Sequence, residues 1–209
     1  MSIQVRKLGN WRIAIGKKDD FLNENVIFPR LLHGGEITSA TICISGETVA
    51  DGIEVSQAHV KVGVGTADCM PLVILSPKKG LVLHVSRKSL INGLLEKASR
   101  IVAPHEITRV FIGPSICSKH FTFNHEGEEI TTFKKLFPEA VKEKDTIHLS
   151  LSKAVQTYFD VWGVSEKSIF RDERCTFEDH TLSSYRRWLT SEKKGSRSVE
   201  TATVIWREE

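Results

Sequence analysis

Residues 60–89, VKVGVGTADCMPLVILSPKKGLVLHVSRKS, decide how the rest of the chain is read. Val60, Val62 and Val64 alternate with small or polar residues, the period-2 signature of a strand. Residues 71–75 are an unbroken apolar run, Ser76-Pro77-Lys78-Lys79-Gly80 is turn chemistry, and residues 81–85 are apolar again. The spacing predicts strand, polar corner, strand, turn, strand. Asp68, Cys69 and His84 interrupt this apolar hairpin. A polar group at a core-like position has to find partners or do chemistry. If Leu75 faces Leu81 across the turn, Leu72 faces His84 and Cys69 lies ~10 Å further along a straight strand. A hairpin alone therefore does not join Cys69 to His84; a bend at Met70-Pro71 would, and proline is a residue that forces one.

Outward from this stretch, residues 3–5 and 11–15 alternate around Gly9-Asn10 and predict an opening hairpin. Residues 37–44 read as a strand ended by Gly46. Residues 89–102 read as one helix, with Ser89 as its cap and Ile91, Leu94, Leu95, Ala98 and Val102 on one face. A strand at 109–112 runs into Gly113-Pro114. Helices follow at 126–137 and 152–162, the latter closed by Gly163, with a short strand at 147–149 between them. Residues 198–206 alternate again as a closing strand. Mixed strands with three helices predict one α+β (mixed α/β) domain over residues 1–209.

Composition narrows the function classes. At 209 residues and 40% hydrophobic the chain can bury a normal core. A net charge of +3 without a long basic run argues against nucleic acid as a partner. No apolar stretch approaches the ~20 residues of a membrane span, and MSIQVRKLGN lacks the apolar centre of a signal peptide. Cys43, Cys69, Cys117 and Cys175 are spread out with no CxxC, so they read as reduced thiols of a cytoplasmic protein.

TADCMP, an apolar hairpin and a closing histidine resemble the laccase-domain, YfiH-like family. Its members were once described as multicopper polyphenol oxidases and are now mostly described as zinc-dependent purine nucleoside phosphorylases that also deaminate adenosine. Leu32-His33-Gly34 is similar to the family's VHG and Ala50-Asp51-Gly52 to its ADG. Residues 112–116 (IGPSI) are similar to its GPSIG. Cys175-Thr176-Phe177, Ser184-Tyr185-Arg186-Arg187 and Gly195-Ser196-Arg197 are similar to its CT, SYRR and GR tail. The family's HAGWRG is here His84-Val85-Ser86-Arg87-Lys88-Ser89: only the histidine is kept, and Lys88 stands where the family has arginine. The segment ahead of His33 is also shorter than the family's.

The resemblance implies layered mixed β-sheets with flanking helices, and a zinc site made by His33, Cys69 and His84. Cys69, His84 and Asp68 would form the catalytic set, with Lys88, Arg87 and Arg186 contacting phosphate or substrate. Two imidazoles and a thiolate leave a tetrahedral zinc one open position, and zinc lowers the pKa of a bound water to about 7. That suits hydrolytic deamination at C6 of adenine. In phosphorolysis the metal would instead hold or polarise phosphate or the purine, and both roles stay open. The partners implied are a purine nucleoside and phosphate, for a monomer or small homo-oligomer. Asp68 either orients a ligand or caps a turn. His120 sits on a surface loop or lines the pocket. Arg186, Arg187 and Arg197 bind an anion or pair with acidic neighbours such as Glu178 and Asp179. Cys43, Cys117 and Cys175 read as structural. Residues 85–89, at a helix N-terminus, are expected to hold an anion, with Lys88 toward the metal pocket and Arg87 toward solvent or an acidic neighbour.

Two histidines, a cysteine and the nearby Met70 superficially suit copper. A multicopper oxidase, however, draws on more histidines, largely in His-x-His pairs; this chain has eight, none so paired. Two alternatives to the zinc enzyme remain. One is a metal-free hydrolase or deamidase with Cys69 as nucleophile and His84 as base. The other is a binding protein that kept the fold and lost the activity.

Overall fold

The hairpin expected at residues 71–85 forms, one register step away from the expectation. The computed structural model describes residues 2–191 and 199–209; the match at Gly195-Ser196-Arg197 and the start of the closing strand at Ser198 lie outside the described residues. In chain order the strands are β1 (Gln4–Leu8), β2 (Trp11–Lys17), β3 (Ile37–Ser39), β4 (Gly52–Val55), β5 (Val62–Thr66), β6 (Met70–Leu75) and β7 (Gly80–Val85). They continue with β8 (Arg109–Ile112), β9 (Thr122–Phe123), β10 (Val141–Glu143), β11 (Ile147–Leu149), β12 (Ile169–Arg171) and β13 (Thr201–Arg207). The helices are α1 (Arg87–Ile91), α2 (Leu94–Ile101), α3 (Glu128–Leu136), α4 (Leu151–Trp162) and α5 (Tyr185–Thr190).

The strands form a mixed six-stranded sheet in the order β12-β8-β6-β7-β4-β3, an antiparallel sheet β1-β2-β13-β5, and a small sheet β10-β11-β9. In β6 and β7, Val73, Leu75 and Val82 point to the antiparallel sheet and pack with Trp11, Ile13, Val64 and Ile205. Met70, Leu72, Ile74, Leu81, Leu83 and Val85 point the other way, onto Leu94, Leu95, Phe133, Val155 and Phe159. Both faces of the central hairpin are therefore covered, which is why residues 71–75 read as continuously apolar.

Four expectations are corrected. Leu75 pairs with Gly80 rather than Leu81, because Ser76 N–H donates to Lys79 O at 2.8 Å and closes a shorter turn; Pro71 then faces His84. The strand at 37–44 stops at Ser39, whose carbonyl accepts the N–H groups of Ile42 and Cys43, turning the chain and leaving Ile42 and Ile44 exposed. The helix at 89–102 is two helices. Gly93 takes φ +77, a left-handed conformation that glycine tolerates, and starts α2. The cap of α1 is Ser86, not Ser89: Ser86 Oγ accepts from Ser89 N–H at 3.0 Å, and Ser89 Oγ accepts from Ser86 N–H at 2.8 Å. The opening hairpin, α3, α4 with its Gly163 cap, and the described part of the closing strand form as expected.

Candidate metal centre

His84 closes β7 on the same face as Val82, the face toward the antiparallel sheet. Gly52 pairs with Leu83, so the next step places Asp51 opposite His84. His84 N–H donates to Asp51 O at 2.6 Å, and Nδ1–H donates to Asp51 Oδ1 at 2.9 Å. The same carboxylate accepts from His33 N–H at 2.8 Å on Oδ1, and from Gly34 at 2.5 Å and Gly35 at 2.9 Å on Oδ2. One buried carboxylate thus fixes the His84 ring and the backbone of the loop carrying His33.

Cys69 reaches the same point by a bend that falls at Asp68 rather than Met70-Pro71. Met70 and Pro71 stay in β6, paired with Val85 and His84. Pro71 O accepts from Gly113 N–H at 2.8 Å, just beyond the end of β8, so the missing proline N–H falls where the ladder stops. Asp68 takes φ 88, and His33 takes φ 61. Left-handed backbone at non-glycine residues is disfavoured and persists where surroundings hold it. Asp68 is held: Oδ1 accepts from Thr176 Oγ1 at 2.7 Å, Oδ2 from Arg186 N–H at 2.6 Å, and its carbonyl from Ile116 N–H at 2.9 Å. Its carboxylate is engaged there, so Asp68 positions the Cys69 turn, and the carboxylate touching His84 is Asp51.

His33 Nε2 lies 3.8 Å from Cys69 Sγ, and the His33 and His84 rings meet edge-on with centroids 4.6 Å apart. One ligand atom from each of His33, Cys69 and His84 lies within 4.8 Å of the others, and zinc bonds of about 2.0–2.3 Å bring such atoms to about 4 Å. Burial alone would push the Cys69 thiol up, but His84 and His33 reverse this and bring it down to about 7. Burial works against the His84 imidazolium, yet the Cys69 thiolate and the Asp51 carboxylate raise it to about 9. Burial likewise disfavours the Asp51 carboxylate, and the bonds from His84 and the loop N–H groups outweigh it, so Asp51 is held below its usual range. Two imidazoles and a thiol drawn toward thiolate are donors that suit zinc, and Asp51 occupies Nδ1 of His84 so that Nε2 remains to ligate.

The site opens into a cleft of about 370 Å³ lined by Leu32, His33, Cys69, Phe121, Phe123 and Tyr185, with Arg87, Lys88 and Arg186 at the rim. Arg87 and Lys88 both pair with Glu129, Lys88 at 2.9 Å. Arg87 also lies over the Phe123 ring, 4.9 Å from its centroid, while half of the Lys88 side chain stays exposed. The cap of α1 uses the backbone N–H groups of Ser86 and Ser89. Arg186 donates to Thr122 O at 2.8 Å and packs 5.5 Å over Phe123. Arg187 donates to the carbonyls of Thr176, Phe177, Asp179 and Leu182, and, after the Thr181 hydroxyl, its charge is among the contacts that hold the Asp179 carboxyl below its usual range. His120 stacks on Phe177 and meets Glu178 at 2.9 Å.

Among the described residues no helix is long and apolar enough to cross a membrane. Residues 10–208 match a family model described as multi-copper polyphenol oxidoreductase laccase. Purine nucleoside phosphorylase Cj1217c of Campylobacter jejuni is 29% identical over 151 residues, 68% of this chain and 63% of that protein, so the chain spans just under two-thirds of that relative. Adenosine deaminase RL5, from an unknown prokaryotic organism, is 25% identical over 88% of this chain and 76% of its own length. Neisseria meningitidis protein NMB0706 matches in structure with TM-score 0.82 at 17% identity over the whole of both chains. YfiH of Bacillus licheniformis matches with TM-score 0.75 at 18% identity, over 90% of this chain and 77% of that one. These structural likenesses bear out the mixed α+β, YfiH-like fold.

Proposed function

The chain belongs to the multi-copper polyphenol oxidoreductase laccase family, and on that premise we propose that it is a zinc-dependent purine nucleoside enzyme. The reactions proposed are phosphorolysis of the glycosidic bond of inosine or adenosine and, as a separate reaction, deamination of adenosine, in which water adds at C6 and ammonia leaves. The observation that carries this reading is the convergence of His33, Cys69 and His84 beside the Asp51 carboxylate. The names of the two relatives supply the substrate class. Zinc is favoured over the copper of a multicopper oxidase because this chain has eight histidines, none in a His-x-His pair, while one thiol and two imidazoles match a single catalytic zinc with one open position.

His33, Cys69 and His84 would hold the ion. Bound there, zinc supplies a Lewis acid and brings the pKa of a coordinated water to about 7. Asp51 keeps a proton on His84 Nδ1 and so keeps the ring turned. Phe121, Phe123 and Tyr185 give the cleft an aromatic wall against which a purine face can stack. Lys88 and Arg87 supply the cations for phosphate, and their shared pairing with Glu129 makes that contact weak, since the carboxylate competes with the anion. Lysine also lacks the bidentate fork of arginine.

A second reading draws on the lowered Cys69 thiol beside two imidazoles: Cys69 as a nucleophile without metal. Removing the metal separates the two. Zinc-loaded protein should release hypoxanthine from inosine only when phosphate is present, lose this on chelation and regain it with zinc. Full activity after chelation would favour the Cys69 nucleophile. No cleavage or deamination under any of these conditions would leave a binding protein.

A further inference from the structure

A second set of metal-ligand side chains lies on two loops behind the cleft wall. Cys117, His120 and Glu178 bring a sulfur, an imidazole nitrogen and a carboxylate oxygen within 4.8 Å of one another. The loops share one build. Residues 117–120 read Cys-Ser-Lys-His and residues 175–178 read Cys-Thr-Phe-Glu, so each carries a cysteine and a second donor three positions later. Each closes a single turn: His120 N–H donates to Cys117 O at 3.0 Å, and Glu178 N–H donates to Cys175 O at 3.1 Å. Such a turn puts its first and fourth side chains on one side, and ligand pairs in structural zinc sites use this spacing.

The two turns are fastened together. Ser115 and Cys175 form a bridge, Thr176 N–H donates to Ser115 O at 3.1 Å, and Cys117 N–H donates to Cys175 Sγ at 3.2 Å. Burial, and after it the neighbouring Cys175 thiol, push the Cys117 thiol up. His120 is stacked on Phe177 with ring centroids 4.2 Å apart, which fixes its ring with Nε2 2.9 Å from Glu178 Oε1. Lys119 also pairs with Glu178 at 3.0 Å, but its side chain is 72% exposed, and an exposed pair of this kind is weak enough for a divalent ion to displace.

We infer that Cys117, His120 and Glu178 bind a second divalent metal ion of the zinc class, separate from the ion of the cleft. Binding releases the Cys117 thiol proton and any proton on His120 to solvent; no electrons move. The ion would clasp the loops that shape the cleft. Phe121 follows His120 and lines the cleft wall, Thr176 follows Cys175 and holds Asp68, and Ile116 precedes Cys117 and holds the Asp68 carbonyl. Metal at this clasp therefore stabilises the bend that presents Cys69, without touching substrate.

The test is zinc content after equilibration under reducing conditions and removal of excess metal, for wild type, Cys69→Ser, His120→Ala and the double variant. The expected stoichiometries are about two, one, one and none. Zinc should also raise the melting temperature of Cys69→Ser but not of the double variant. Glu178→Gln, at a half-exposed position, serves if His120→Ala does not fold; it should lower affinity at this site alone. Cys69→Ser protein with no bound zinc and no zinc-dependent melting shift would overturn the inference. So would a Cys117–Cys175 disulfide, found by peptide mapping of protein kept reduced throughout. If Cys69→Ser loses nothing while His120→Ala loses one equivalent, the clasp stands and the cleft metal proposed above falls.

Discussion

Replacing Asp51 by asparagine keeps the shape of the side chain and removes its charge and one acceptor atom. In the native site Oδ1 takes His33 N–H and His84 Nδ1–H, and Oδ2 takes Gly34 N–H and Gly35 N–H. An amide accepts on one side only, so two of these four donors must face an NH₂ group. If the loop keeps the carbonyl, His84 has to turn its lone pair to Nδ1, which puts the proton on Nε2 and blocks ligation. If His84 keeps it, Gly34 and Gly35 lose their acceptor and the His33 loop loosens. Two charge-assisted bonds at roughly 1.5–3 kcal/mol each make the total loss about 3–6 kcal/mol, shared between folding and metal binding. The metal share should be about 10- to 100-fold in affinity, the effect of losing a carboxylate behind a ligating histidine. Chelator competition reads the affinity, and urea unfolding of metal-free protein reads the stability. A folded Asp51→Asn protein that binds zinc within about twofold of wild type would refute the role given to Asp51.

Zinc affinity should climb with pH, because protons and metal compete for the same atoms. Cys69 holds its proton up to about 7 and His84 up to about 9, so the climb should be about two decades per pH unit below 7, about one between 7 and 9, and flat above. Chelator competition from pH 6 to 9.5 checks this, and a flat profile would contradict it. Lys88→Ala should raise the phosphate KM about two- to fivefold without changing metal content, while Glu129→Gln should lower it by freeing Arg87 and Lys88. An unchanged KM in both variants would reduce the trio to a surface ion pair.

The central hairpin was legible because its apolar runs and turn residues are local signals, read directly from periodicity. Its register was not, since one residue more or fewer in the Ser76–Lys79 turn decides whether Leu72 or Pro71 faces His84. Position also misled at residues 37–44: the alternation is real, but Ser39 accepts two N–H groups and turns the chain away from the sheet. The three candidate ligand residues stand out by type and by family position, whereas Asp51 does not, although Ala50-Asp51-Gly52 is similar to the family's ADG. Its role depends on the pairing of β4 with β7, and a contact between distant strands leaves no trace in local pattern. The helix α5 (YRRWLT) is too short and mixed to show a face. The clasp is a sharper case: both Cys-x-x turns are visible in the sequence, yet only the Ser115–Cys175 bridge brings them together.

The most direct test of the central claim is a crystal structure of zinc-equilibrated protein with anomalous differences recorded on both sides of the zinc edge. The account predicts a zinc peak at the cleft, about 2.3 Å from Cys69 Sγ and about 2.0–2.1 Å from His33 Nε2 and His84 Nε2, with His84 Nδ1 still on Asp51. A map with no peak within bonding distance of Cys69, in crystals of reduced protein soaked in excess zinc, would contradict it.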